Sequence, residues 1–214
     1  MKTLIYTFVL LSSLFAIACA DSSVPKPGNS NSADVKRGIQ PVADPEVAVI
    51  EMENSAAYGK ITMELYSNIA PKMVERFKQL ATEGYYDGIA FHRVNPSVIQ
   101  AGNADTKPGR SPNPAKEGDS GKPNVPAEFS DVPYDTGIVG AARLGNDINS
   151  ANSQFFITLK REAGFDNKYT IFGKVIDGMN NVRTISAVQP KEGERPVEPI
   201  RIKSVKIVPR DAAK

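Results

Sequence analysis

Short apolar runs separated by turn-forming residues dominate the chain after residue 45, and this pattern restricts the possible folds more than any other feature. The runs at 47–53 and 59–66 flank a short turn segment and predict a β-hairpin. Further short strands are predicted around 89–94, 97–101, 137–142, 154–159, 169–175 and 200–208. Many short strands with few helices favour a closed barrel or a sandwich over a doubly wound parallel sheet.

Only two segments show the spacing of a helix. Pro71 and Gly84 mark the start and the end of a helix predicted over 70–84, since proline favours the first turn and glycine the position after the last. The apolar residues of this segment fall on one face: Val74, Phe77, Leu80 and Ala81. A second helix is predicted at about 178–187. The expected fold class is therefore mainly β.

The first 19 residues have the features of an export signal, because Lys2 precedes an uncharged apolar run that ends in small residues. Bacterial lipoprotein signals end in small residues before a cysteine that becomes lipidated, and FAIAC at 15–19 resembles such a site. Cys19 is therefore a lipidation candidate and a possible membrane tether. Ala16 stands where that motif usually has Leu or Val, so ordinary signal cleavage after AIA or ACA remains the alternative. Both interpretations predict export to a bacterial cell envelope or periplasm.

The rest of the chain divides into a tether, one domain and a short tail. Residues 20–45 are rich in Ser, Pro, Asn and Gly without apolar periodicity, which predicts a flexible tether. The domain is expected over 46–208 and a C-terminal tail over 209–214. Within the domain, 103–126 consists of turn formers and charges, and is either a functional loop or a solvated excursion. No heptad pattern or large apolar stripe suggests self-association, so a monomer is expected.

Composition excludes several classes of chemistry. The net charge is +2 with basic and acidic residues interleaved, so no nucleic-acid partner is expected. One histidine, and no cysteine after Cys19, leave too few ligands for a metal site. There is no G-x-S-x-G motif and no glycine-rich phosphate loop before a helix, so no cofactor is expected.

His92 and Arg93 are the polar residues that these exclusions leave unexplained, since they stand side by side in an apolar run. On spacing alone, His92 could be a hydrogen-bonded core residue and Arg93 could pair with a carboxylate at the rim.

Several separated motifs resemble the signature segments of the cyclophilin family of peptidyl-prolyl isomerases. They occur in the family's order: FHRV (91–94), IQAG (99–102), VPAEF (125–129), GIVGAAR (137–143), NSQFFIT (152–158) and FDNKYTIFGKVIDGM (165–179). VPAEF and GIVGAAR fit the bacterial members, and the resemblance covers about 46–208. It implies a closed eight-stranded antiparallel β-barrel capped by two α-helices, with the active site in a groove on the outer surface.

The resemblance also implies a reaction and the residues that perform it. The enzyme would accelerate rotation about X–Pro bonds in proline-containing polypeptides, without a cofactor or a metal. Arg93 would be the catalytic residue, donating a hydrogen bond to the prolyl nitrogen as the amide twists. Phe156 would form the floor of the proline pocket, and Ala142 and Arg143 would supply backbone contacts. The substrate-binding positions carried over from the motifs are Phe91, His92, Gln100, Ala142, Arg143, Gln154, Phe156, Phe165 and Tyr169.

The sequence departs from the family pattern at the pocket wall. The segment after Arg93 is one residue shorter than usual and lacks an aromatic residue, with Ser97 or Val98 near its place. The chain has no tryptophan, and Gly164 lies near the position that it holds in eukaryotic members. Tyr169 stands where many members have histidine. We expect retained isomerase activity and weak binding of cyclosporin. The alternative is a catalytically weak module of the cell envelope that binds proline-containing segments as a chaperone.

Overall fold

The computed structural model describes residues 33–111, 118–189 and 193–213. The strands are β1 (Glu46–Met52), β2 (Lys60–Leu65), β3 (Ala90–Phe91), β4 (Arg93–Val94), β5 (Val98–Ala101), β6 (Ile138–Ala141), β7 (Phe155–Thr158), β8 (Ile171–Asp177) and β9 (Ile200–Pro209). The α-helices are α1 (Ser55–Tyr58), α2 (Pro71–Thr82) and α3 (Met179–Ser186). Every strand predicted from the sequence pattern is present, and so are both predicted helices.

The strands form one antiparallel sheet in the order β3-β9-β1-β2-β8-β6-β7-β5-β4. β3 and β4 lie at opposite ends of this order, yet only His92 separates them along the chain. β3 pairs with β9 and β4 pairs with β5, so one short segment brings both edges of the sheet together and nearly closes a barrel. Counted as one strand broken at His92, this segment makes the barrel eight-stranded, which confirms the predicted architecture.

The hydrophobic core fills the barrel and continues beneath α2. The buried residues of α2 recur at helical spacing: Met73, Val74, Phe77, Leu80 and Ala81. Phe77 makes ring contacts with three other core aromatics, Tyr86, Phe155 and Phe172. Full burial of such side chains stabilises a fold by about 1.5–3 kcal/mol each. The helix therefore fixes the barrel that carries the outer groove.

The turn between β1 and β2 contains α1, a single helical turn that the sequence pattern does not predict. Asn54 caps it, because its side-chain oxygen accepts a hydrogen bond from the Ala57 N–H at 3.2 Å. Gly59 ends it with a φ of +58°, a conformation that favours glycine. A four-residue helix is too short to show apolar periodicity.

Residues 33–45, which composition assigned to a flexible tether, run along the barrel in this structure. The Lys36 N–H donates to the Phe129 carbonyl at 2.9 Å. The Asp44 carboxylate accepts from the Lys78 ammonium at 2.8 Å. These contacts are polar and join positions far apart in sequence, so a local composition pattern gives no sign of them. Part of the predicted tether is therefore in contact with the barrel in this structure.

The expected C-terminal tail also continues the fold at its start. β9 runs to Pro209, and Arg210 donates to the Glu64 carboxylate at 3.1 Å. The expected signal over 1–19, with Cys19, and the first part of the tether lie outside the described residues. Among the helices that the structure describes, none is long and apolar enough to cross a membrane.

Candidate active site

A row of four residues crosses adjacent strands on the outer surface of the barrel. Arg93 is the cross-strand partner of Gln100, Gln100 of Phe156, and Phe156 of Gly140. Cross-strand partners lie side by side on one face of a sheet. The neighbouring row, Val94, Ile99, Ile157 and Val139, is buried in the barrel core. The groove is therefore built from the alternate positions of β4, β5, β7 and β6.

Phe156 lies at the centre of an aromatic cluster. Tyr134 stacks on it with ring centroids 5.7 Å apart, and Phe165 and Tyr169 meet it edge-on at 5.5 and 5.6 Å. These rings form an apolar site beside the outward row, and the structure brings Phe165 and Tyr169 together with Phe156 there. Tyr134 is fully buried, and no sequence signal marked it. Its hydroxyl has no hydrogen-bond partner within the described chain.

The absence of a side chain at Gly140 lets the Phe156 ring lie against the strand. A Cβ atom at this position would be 2.4 Å from Phe156 Cζ and 2.6 Å from the Tyr134 hydroxyl oxygen. Both distances are far below van der Waals contact. Any other residue at 140 would therefore displace the floor of the aromatic site.

Arg93 pairs with a carboxylate, as one interpretation of the sequence allows, and that carboxylate is Glu194, which the sequence does not single out. Its Nε donates to Glu194, whose second oxygen accepts from the Asn95 amide at 2.7 Å. The Val94 N–H also donates to the Glu194 backbone carbonyl at 2.7 Å. This ion pair lowers the pKa of Glu194, so the carboxylate stays charged at neutral pH. Within the described chain the two terminal nitrogens of Arg93 make no hydrogen bond, and 45% of the side chain is exposed.

Gln100 and Gln154 join the row to a second depression. The Gln100 amide donates to the Gln154 side-chain oxygen at 2.8 Å. The Ala142 N–H donates to the Gln154 backbone carbonyl at 3.0 Å. Beyond them lies a cavity of about 190 Å³, lined in part by Gly118 from the 103–126 loop. The part of that loop around Gly118 therefore borders the groove.

Arg143 uses its side chain to brace the loop that carries Tyr169. Its guanidinium lies 4.6 Å from the Tyr169 ring centroid and donates to the Lys168 carbonyl at 3.1 and 3.2 Å. The Arg143 backbone N–H and carbonyl have no hydrogen-bond partner within the described chain. The backbone contact with substrate stays a prediction, and the side chain has a separate, structural role.

Phe91 does not line the groove, contrary to the expectation from the motif. It is 1% exposed and packs in the barrel core. Alternation along one regular strand would place Phe91 on the same face as Arg93. The break at His92 resets this alternation, so Phe91 turns inward while Arg93 remains outside.

His92 occupies that break, and its imidazole interacts with the side chain of Gln154. Burial, reinforced by the positive charge of Arg195, lowers the pKa of His92 to about 4. Its Nδ1 atom is buried without a hydrogen-bond partner in the described chain. The imidazole is therefore neutral at pH 7 and is not a proton donor there.

The low pKa of His92 should make stability depend on pH. Between pH 6.5 and 4 the unfolded chain binds a proton that the folded protein excludes, so stability falls as the pH decreases through this window. We expect a loss of about 2–3 kcal/mol from this group. Urea unfolding of the wild type and His92→Gln at several pH values measures it. As the pH falls from 7 to 4, the free energy of unfolding of the wild type should decrease more than that of His92→Gln. If the difference between the two proteins did not change with pH, the low pKa of His92 would be contradicted.

Comparison with known proteins agrees with this geometry. Residues 49–207 match the family model described as cyclophilin type peptidyl-prolyl cis-trans isomerase/CLD. The peptidyl-prolyl cis-trans isomerase ppi1 of Schizosaccharomyces pombe is 37% identical over 156 residues, which cover 73% of this chain and 96% of that protein. A probable peptidyl-prolyl cis-trans isomerase of Brucella suis is 42% identical over 149 residues, covering 67% and 73% of the two chains.

Solved structures show the same likeness. The crystal structure of a cyclophilin type isomerase from Cryptosporidium parvum superposes with a TM-score of 0.64 at 28% identity, covering 76% of this chain and 97% of that one. A second crystal structure of that protein, determined in the presence of the dipeptide Ala-Pro, also has a TM-score of 0.64, at 27% identity, and covers 76% and 98%. The barrel, the outward row and these matches together show that the chain belongs to the cyclophilin-type peptidyl-prolyl cis-trans isomerase family.

Proposed function

We propose that Arg93 accelerates X–Pro rotation by donating a hydrogen bond to the prolyl nitrogen in the twisted transition state. The observation that carries this proposal is the outward row in which Arg93 and Phe156 flank Gln100. Two strand spacings separate Arg93 from Phe156, about 10 Å between backbones, which the long arginine side chain can bridge. A proline ring on Phe156 would then present its nitrogen to the guanidinium.

Amide resonance makes this rotation slow, and its loss in the twisted state gives the prolyl nitrogen a lone pair. A donor that finds this lone pair only in the transition state stabilises that state selectively, as catalysis requires. Glu194 fixes Arg93 through Nε and leaves the terminal nitrogens for the substrate. The aromatic rings around Phe156 exclude water, which strengthens the interaction. Isomerisation of a proline-containing peptide by the full chain, followed by exchange NMR, tests the proposal.

A second candidate function is supported by the turn that follows β4. Asn95 closes this turn, because its side-chain oxygen accepts from the Ser97 and Val98 N–H groups at 2.8 Å each. Val98 is 2% exposed in the core, so only Ser97 stands where an aromatic wall is usual in the family. A proline ring would bury less surface there, and the domain would bind proline-containing segments while turning them over slowly. Peptide binding without rate enhancement would favour this chaperone-like module.

The pocket should bind cyclosporin weakly, because no indole stands near Gly164. A Cβ atom at Gly164 would meet no other atom within 4 Å, so a larger side chain has room there. We expect Gly164→Trp to fold normally and to bind the drug several-fold more tightly, measured by titration calorimetry. A dissociation constant in the nanomolar range for the unchanged protein would contradict this prediction.

We also propose that the protein is an exported monomer of a bacterial cell envelope, where it accelerates proline-limited folding of exported proteins. The apolar run before Cys19 and the polar segment after it support this proposal. A lipid on Cys19 would anchor the domain to the membrane. Mass spectrometry of the mature N-terminus distinguishes a lipidated Cys19 from cleavage at AIA or ACA.

A further inference from the structure

A cleft of about 390 Å³ lies on the far side of Arg93 from Phe156. Its walls come from β3 with His92, from the turn at 105–110, and from the loop at 195–199 that leads into β9. The same loop carries Glu194, which holds Arg93. The cleft therefore adjoins the segment that carries Arg93, and nothing in the isomerisation step described above uses it.

Positive charge dominates this cleft. Four cations line it, Lys107, Arg110, Arg195 and Arg201, against one lining carboxylate, Asp105. The Arg201 guanidinium is fixed in the wall, where it donates to the carbonyls of Gly88, at 2.8 Å, and Thr106. Arg110 and Arg195 are exposed, and no carboxylate of the described chain lies within ion-pair distance of either. Within the part of the chain that the structure describes, these two guanidinium groups are available to an anion.

The pKa values of neighbouring groups show the same excess of positive charge. Burial and then the charge of Arg110 lower the pKa of Lys107, whose ammonium lies 5.6 Å from the Tyr85 ring centroid. The charge of Arg195 adds to burial in lowering the pKa of His92. Burial is the main cause at both groups, and a neighbouring arginine adds to it at each, while Asp87 partly offsets the shift at Lys107.

We propose that this cleft binds an acidic side chain of the client polypeptide, three or four residues from the proline that Phe156 holds. The proposal rests on the function proposed for Arg93 and Phe156. The backbones of Arg93 and Phe156 are about 10 Å apart, and the cleft begins at His92, next to Arg93. A peptide that reaches from Phe156 to the cleft must therefore span at least this distance. An extended peptide advances about 3.3 Å per residue, which gives the spacing.

The shape of the cleft favours a peptide over a larger polyanion. The space accommodates one or two side chains, and Val197, which is 55% exposed, and Pro199 add apolar surface beside the exposed arginines. Apolar surface next to guanidinium groups suits the stem and the carboxylate of a glutamate. A flat anionic surface, such as a membrane, would reach few of these cations at once.

The test compares matched peptides that differ only by Glu or Gln at one position, three or four residues before or after the proline. Exchange NMR gives kcat/KM for each peptide with the full chain. We expect the best Glu peptide to exceed its Gln partner by about five- to tenfold, the range of one charge-assisted contact. This ratio should fall towards one in Arg110→Ala/Arg195→Ala, and also at high salt. Arg183→Ala, an exposed arginine on α3 outside the cleft, should leave the ratio unchanged.

Equal rates for every Glu and Gln pair, or a preference that survives in the double variant, would overturn the proposal. Peptide dissociation constants, measured in the same samples, separate it from the isomerase mechanism. If no peptide is isomerised but Glu peptides bind more tightly through Arg110 and Arg195, the cleft stands and the mechanism fails. Arginine-dependent binding of anionic phospholipid vesicles, with no Glu preference, would assign the cleft to a membrane and also refute the proposal.

Discussion

Arg93→Ala should lower kcat/KM for a proline-containing peptide by about a hundred- to a thousandfold, the cost of removing one preorganised donor from a transition state. The Arg93 side chain is 45% exposed and contributes little to the core, so the free energy of unfolding should change little. Exchange NMR on the peptide and urea unfolding of the variant measure the two quantities. Unfolding should remain a single cooperative transition.

Arg93→Lys is the matched control for charge. Lysine keeps the positive charge but lacks the planar fork that can bond Glu194 and still present free N–H groups. We expect Arg93→Lys to recover only a small part of the lost rate. Full recovery would mean that charge alone suffices, and equal rates for the wild type and Arg93→Ala would remove Arg93 from the mechanism.

Gly140→Ala should disturb the proline pocket at its floor. The added Cβ would stand 2.4 Å from Phe156 Cζ, so the ring must move away from the strand. We expect kcat/KM to fall about tenfold, since small misplacements near a reacting group are costly. Overpacking should also lower the free energy of unfolding by about 1–3 kcal/mol. Peptide turnover and urea unfolding measure both effects.

Gly145→Ala is the control for this substitution. No atom lies within 4 Å of the place where its Cβ would be, so the same change in composition meets open space. Its free energy of unfolding should stay within about 0.5 kcal/mol of the wild type. If the two alanine variants behaved alike, the close contact between Gly140 and Phe156 would have no functional importance.

The sequence predicts the strands of the barrel well because the signal for each strand lies within a few neighbouring residues. Alternating or continuous apolar runs end at turn formers, and the α2 pattern at Val74, Phe77 and Leu80 follows from helical geometry. The outward row could also be anticipated, since its members belong to motifs that resemble a known family. Arg93, Gln100 and Phe156 do fall side by side once the strands pair.

Contacts between distant segments could not be predicted in the same way. Glu194 lies 101 residues from Arg93, in a charged loop where nothing distinguishes it from other surface carboxylates. Tyr134 stacks on Phe156 only because the chain folds back before β6. The predicted position of Phe91 in the groove is wrong for a related reason. The strand breaks at His92, where its two halves pair with different strands, and an alternating sequence pattern does not show this break.

Line-shape NMR on a single peptide separates catalysis by Arg93 from substrate binding, because it gives both the dissociation constant and the cis–trans exchange rate within the complex. For Arg93→Ala, we expect the exchange rate in the complex to fall by about a hundredfold or more while the dissociation constant stays within a few-fold of the wild type. Binding that weakens by the full factor lost in kcat/KM, with an unchanged exchange rate in the complex, would show that Arg93 only holds the substrate. That result would contradict stabilisation of the twisted amide.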